Sequence, residues 1–93
     1  MENEVRYNRQ EGRFELDLEG GRTAYVEYEV AGEGVLALTH TEVPAEFEGK
    51  GVGGALVKGT LEIVRGENLK IVPVCRFVSV YLRRHPEYQE LVA

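Results

Sequence analysis

The stretch Glu48-Gly49-Lys50-Gly51-Val52-Gly53-Gly54-Ala55-Leu56 decides how the rest of the chain is read. A glycine-dense loop runs there straight into an apolar helical pattern. Glycine costs a helix interior about 1 kcal/mol per residue relative to alanine, so four glycines within positions 49–54 need a reason. One reason is close backbone approach to a bulky anion. The first N–H groups of a helix have no intrahelical partner and lie at the positive end of its dipole, which suits a phosphate. Side chains at Gly49, Gly51 and Gly53 would block that approach. The other reason is structural: a positive φ where the helix begins, and tight packing on a sheet. The glycines alone leave both open.

Three phosphate motifs compete for the loop. Gly49-x-Gly51-x-x-Gly54 satisfies the dinucleotide pattern in form. That fingerprint follows a strand immediately, and an acidic residue ends the next strand. Here polar Ala45-Glu46-Phe47-Glu48 intervenes and the next apolar run ends in Pro73-Val74-Cys75, so the context fails. A P-loop needs Gly-Lys-Ser/Thr in sequence, whereas Lys58-Gly59-Thr60 has the wrong order and lies deep in the helical pattern. What remains is x-x-x-Gly-x-Gly ahead of an apolar helix, with Glu48, Gly51 and Gly53 in register. This resembles the acyl-coenzyme-A loop of the GNAT superfamily of N-acetyltransferases, whose pattern is Gln/Arg-x-x-Gly-x-Gly/Ala. Glu48 departs from that pattern at its first position.

Upstream of the loop, residues 1–11 are polar with Val5 and Tyr7 as apolar anchors, a lead-in or short strand. From Gly12 the chain alternates, with Phe14, Leu16 and Leu18 on one face, which predicts a half-buried strand. Gly20-Gly21 suits a tight hairpin turn. The next strand points Ala24, Val26, Tyr28 and Val30 inward; Gly32-Glu33-Gly34 turns again into a third strand, Val35 to Val43, closed by Pro44. These strands form an antiparallel meander.

Downstream, Leu56, Val57, Thr60, Leu61 and Val64 follow helical spacing and predict one face packed on the sheet. Gly59 in mid-helix implies close contact with a strand or a ligand. Gly66 is placed as a C-terminal cap. Leu69 to Val74 lacks alternation and predicts a strand covered on both faces, parallel to the third across the helix. Cys75 to Arg84 is a second helix with Phe77, Val78, Tyr81 and Leu82 on one face, and His85-Pro86 stops it. Residues 86–92 close the chain as a helical turn or strand.

Composition bounds the class. Ninety-three residues, 43% apolar and 29% charged, predict one globular domain over residues 1–93. No apolar run approaches the ~18 residues of a membrane span, the acidic Met1-Glu2-Asn3-Glu4 is not read as a signal peptide, and a single cysteine suits a cytoplasmic location. Residues 1–48 carry twelve acidic side chains against four arginines, net −8; residues 49–93 carry four against seven basic ones, net +3. An acidic chain argues against nucleic acid as the main partner. The basic half beside the glycine loop suits an anionic cofactor. The acidic half suits a cationic substrate, although solvated strand faces give the same count. No metal site or membrane partner is expected, and the chain is expected as a monomer or weak dimer.

The order of elements is that of the middle of the GNAT fold, an α+β sandwich with a mixed sheet. The combination His40-Thr41-x-Val43, Gly49-x-Gly51-x-Gly53, Pro73-x-Cys75 and Tyr81-x-x-x-His85-Pro86-Glu87-Tyr88 looks like the small stand-alone GNAT-like proteins. The resemblance implies acetyl-coenzyme A as cofactor and an amine as acceptor. It implies a cofactor site made by Val43, Glu48, Gly49, Lys50, Gly51, Val52, Gly53, Gly54 and Arg76, with the pyrophosphate on the loop amides and a charge added by Lys50. The thioester would then point to the strand ends, where His40, Glu42 and Cys75 could converge. An amine attacks only when neutral, so a base or water path must take its proton, and third-strand amides could hold the oxyanion.

Each candidate has a structural rival. By simple alternation His40 shares a face with Leu36 and Leu38, as a core histidine or a base. Glu42 follows on that face, as a solvated carboxylate or a base. Tyr81 lies on the apolar stripe, for packing or for protonating the leaving thiolate. Cys75 is a small buried hydrophobe, or a nucleophile whose thiolate a helix N-terminus and Arg76 favour. A coenzyme A or acyl-coenzyme A binding module without turnover is the alternative to the enzyme.

Overall fold

The alternation becomes a five-stranded sheet in the computed structural model, which describes residues 4–93. Its strands are β1 (Val5–Asn8), β2 (Arg13–Asp17), β3 (Thr23–Gly32), β4 (Val35–Glu42) and β5 (Lys70–Pro73), adjacent in that order. The first four pair antiparallel, and β5 joins β4 in parallel. The expected meander thus gains a strand at its start: Val5 lies opposite Leu16, and Tyr7 opposite Phe14. The Tyr7 ring stacks on Phe14 with 4.6 Å between centroids, and both rings meet Tyr28. That aromatic contact holds an otherwise polar segment to the sheet. The reading of Met1, Glu2 and Asn3 lies outside the described residues.

One face of the sheet supplies Phe14, Leu16, Ala24, Val26, Leu36, Leu38 and Ile71 to a single buried cluster. Helix α1 (Val52–Gly66) covers it with Leu56, Val57, Leu61 and Val64, and helix α2 (Arg76–Arg84) with Val78 and Leu82. Sheet and helices make two layers, the α+β sandwich that the pattern predicts. The buried Thr60 hydroxyl donates to the Leu56 carbonyl at 2.9 Å, so no polar group is stranded there. After α2, a 3₁₀ segment, Pro86–Leu91, buries Tyr88 and Leu91, and Val92 bridges to Ile71. The closing segment is therefore both helical turn and strand contact.

On the other face Glu15 is buried under polar cover. Burial alone would raise its carboxyl pKa, but hydrogen bonds from Asn8 and Arg13, with the charges of Arg13 and Arg6, hold it below the usual value.

Four local expectations are corrected. Strand β5 is covered on one side only, with Ile71 buried and Val72 exposed, because both helices pack on the same face of the sheet and Val72 points to the other. Val30 is 73% exposed, since residues 29–34 all stand in solvent at the tip of the β3–β4 hairpin. The loop from Leu18 to Arg22 is longer than a two-residue turn, although Gly20 and Gly21 both take φ +73°. The left-handed residue after α1 is Asn68, at φ +59°, not Gly66. The Asn68 N–H donates to the Arg65 carbonyl and the Leu69 N–H to the Val64 carbonyl, the paired bonds of a Schellman ending.

Gly59 marks contact with a strand. A Cβ there would lie 2.9 Å from Val5 Cβ and closer still to Val5 Cγ2. Helix propensity alone would favour Gly59→Ala by about 1 kcal/mol. Overpacking against a stiff β-branched residue costs about 1–3 kcal/mol, so the net expectation is a loss. In denaturant titrations Gly59→Ala lowers stability, and adding Val5→Ala gives a favourable coupling. A Gly59→Ala variant more stable than the parent contradicts this packing.

Candidate functional site

The site begins where β4 and β5 part. They pair from Val35–Lys70 to Leu38–Pro73 and no further. The Cys75 N–H donates to the Leu38 carbonyl at 2.8 Å, which fixes Cys75 at the fork and at the N-cap of α2. On the opposite edge of β4, Tyr28 faces Leu38 and Glu27 faces His40, so Thr39 is an extra residue. Its hydroxyl donates to the Glu27 carbonyl at 3.3 Å.

One extra residue inverts every later side chain of a strand. Beyond it Thr41 stands opposite the buried Val26, and Val43 packs against the core cluster. His40 and Glu42 go to the outer face. This corrects the placement of His40 beside Leu36 and Leu38. The His40 Nε2 and Glu42 Oε1 atoms are 2.8 Å apart, with both side chains 51% exposed. The structure does not bring this pair together with Cys75.

The inner side of the fork opens into a cavity of about 430 Å³. Thr41 of β4 and Val43 just past its end form one wall, Phe77 of α2 another, and Phe47 to Gly54, except Lys50, the floor and rim. Of the expected cofactor residues, Val43, Glu48, Gly49, Gly51, Val52, Gly53 and Gly54 line this space. Lys50 borders a neighbouring cavity with Asp17 and Glu19, its Nζ 5.8 Å from the centre of the Phe47 ring. Arg76 is exposed on the first turn of α2 and lines neither.

Gly51 and Gly53 both answer to the structural reason given for them, each in its own way. Gly51 caps α1 with φ +81°, a conformation that side chains resist, while a Cβ there would meet only open space. At Gly53 a Cβ would come 2.6 Å from Phe77 Cζ, so this glycine makes room for a ring. The Ala55 N–H returns to the Gly51 carbonyl, while the N–H groups of Val52, Gly53 and Gly54 find no protein acceptor among the described residues. These three donors at the start of α1 are the group best suited to an anion.

At the fork, Cys75 Sγ and Thr41 Oγ1 are 3.3 Å apart. Tyr81 stacks on His85 at 3.9 Å between centroids and leans toward Gly54, without lining the cavity. Burial, with the Glu87 and Glu62 carboxylates, pushes its phenol pKa upward, so it stays protonated at neutral pH. Sequence reasoning did not place Thr41, Phe47 or Phe77 in the site. The first needed the bulge, which alternation cannot show. Phe77 looked like core stripe but is 46% exposed. Among the described residues no three metal-ligating side chains converge, and no helix is long and apolar enough to cross a membrane.

Comparison with known proteins agrees with this architecture. Residues 13–91 match the model of the GCN5-related N-acetyl-transferase family. Protein NATD1 of Mus musculus is 34% identical over 88 residues, which covers 94% of this chain and 80% of that protein. Protein NATD1 of Gallus gallus is 33% identical over 89 residues, 95% of this chain and 81% of that one. The NMR solution structure of a GCN5-like protein from Staphylococcus aureus superposes with a TM-score of 0.72 at 32% identity, covering all of this chain and 91% of that one. With the forked mixed sheet and the glycine loop at the head of α1, these matches establish that the chain belongs to the GCN5-related N-acetyltransferase family.

Proposed function

We propose that the protein moves an acetyl group from acetyl-coenzyme A to an amine acceptor. One observation carries the reading: the three unpartnered amides of Val52, Gly53 and Gly54 open on the cavity that Thr41 borders beside Cys75. The amides receive the pyrophosphate, and the slot between β4 and Phe77 takes the pantetheine arm. Acetyl-coenzyme A supplies an activated acyl group. The chain's part is to hold it at the fork, orient its carbonyl and supply protons.

Cys75 and Tyr81 offer two routes. In the first, the Cys75 sulfur attacks the acyl carbon, the bond to the coenzyme A sulfur breaks, and the amine then takes the acyl group from Cys75. In the second, the amine attacks directly, the protonated Tyr81 phenol supplies the proton for the leaving sulfur, and the proton that the amine loses passes through water to restore the phenol. The acidic first half of the chain suits a cationic acceptor. A specific observation favours a second reading, a coenzyme A binding module without turnover: no histidine or lysine lines the cavity, since the bulge sends His40 outward.

Gly51→Val should abolish binding of coenzyme A, followed by calorimetry on protein shown by circular dichroism to remain folded, because it forces a β-branched residue to φ +81° and disturbs the three amides. Unchanged affinity would remove the loop from the cofactor site.

The routes separate on two further variants, assayed with acetyl-coenzyme A and a panel of amines. If Cys75 carries the acyl group, Cys75→Ser loses nearly all transfer and intact wild-type protein gains a hydroxylamine-labile acetyl. If transfer is direct, Cys75→Ser keeps most activity and Tyr81→Phe slows turnover about 10²–10⁴-fold. Tight binding with no acceptor and no label supports the binding module.

A further inference from the structure

The charge balance of the cavity points to a role for Glu48 opposite to that of a ligand-holding residue. Among the described residues that line the cavity, Glu48 is the one with an acidic or basic side chain. Attraction for an anion comes from the three free amides, whose helix end is worth only about half a positive charge. The nearest candidate cation in sequence, Lys50, borders the adjoining cavity with Asp17 and Glu19. Among the described residues no arginine, lysine or histidine lies within ion-pair distance of the Glu48 carboxylate.

The backbone places Glu48 at the rim. The Glu48 N–H donates to the Ala45 carbonyl at 3.1 Å, closing the 3₁₀ turn Ala45–Phe47 just before the loop. Glu46, two residues earlier, contrasts with it. Its carboxylate pairs with Arg22 of the β2–β3 loop and does not line the cavity. The same short segment thus carries one acid paired with an arginine away from the cavity and one acid on the cavity lining with no ion-pair partner among the described residues.

We propose that Glu48 is a charge-selecting residue that holds down affinity for the diphosphate of coenzyme A. The inference rests on the coenzyme A reading of the cavity given above. A like charge beside a diphosphate acts through partly screened solvent, so its effect is a few-fold at low salt and fades as ionic strength rises. Replacement by the isosteric glutamine therefore improves binding, whereas loss of an ordinary contact residue weakens it.

The test is calorimetry of coenzyme A binding to the full chain, its Glu48→Gln variant and its Glu46→Gln variant, at low and high ionic strength. Glu48→Gln should tighten binding about two- to tenfold at low salt, with the gain closing at high salt. Glu46→Gln removes the same charge from the same segment and should give no gain. Equal or weaker binding by Glu48→Gln, or an equal gain in both variants, overturns the proposal. If neither the parent nor Glu48→Gln binds coenzyme A, the coenzyme A reading itself fails and takes this inference with it.

Discussion

The separation of β4 from β5 after Leu38 is the constraint on which the site depends. Up to that point the two strands share a parallel ladder; beyond it, β4 runs on while the chain after Pro73 turns into α2. A single backbone bond, from the Cys75 N–H to the Leu38 carbonyl, closes the crotch of the fork. An unpaired stretch of β4 inside a protein would leave donors and acceptors unsatisfied. Facing an open cavity, the same groups are available to a bound molecule. The extra residue Thr39 shapes the fork, because it delivers Thr41 and Val43 to the cavity side and removes His40 and Glu42 from it.

The glycine loop completes the site by a division of labour. Gly51 serves backbone conformation, Gly53 serves the Phe77 ring, and the amides that follow Gly51 remain free. Backbone conformation and packing are therefore met by two glycines of one turn, which leaves the following amides without protein acceptors among the described residues. Gly59 follows the same logic away from the site. It lets β1 press on α1, which extends the sheet by the strand that Tyr7 and Phe14 anchor.

Much of this architecture was legible in the sequence, because periodicity reports the local face of an element. The meander, both helices, the parallel strand and the position of Cys75 between strand and helix followed from spacing alone. Two kinds of feature did not. A bulge changes the phase of a strand without changing its composition, so Leu36-Ala37-Leu38-Thr39-His40-Thr41 reads as unbroken alternation and puts His40 on the wrong face. Edge and tip positions fail for a related reason: Val30, Val72 and Phe77 are as apolar as core residues, but exposure depends on where the helical layer stops. For the candidate site, the loop was legible as a motif. The place of Lys50 on the adjoining cavity and of Glu48 on this one needed the fold.

The central claim is that the start of α1 and the fork of the sheet form one ligand site. Titration of isotope-labelled protein with coenzyme A, followed amide by amide in nitrogen–proton NMR spectra, tests it most directly. Resonances of residues 49–54 should move together with those of Thr41, Cys75 and Phe77, saturating along one binding curve, while His40 and Glu42 on the outer face move far less. Shifts centred on the outer face, with the amides of Val52, Gly53 and Gly54 unmoved at saturation, would contradict the account.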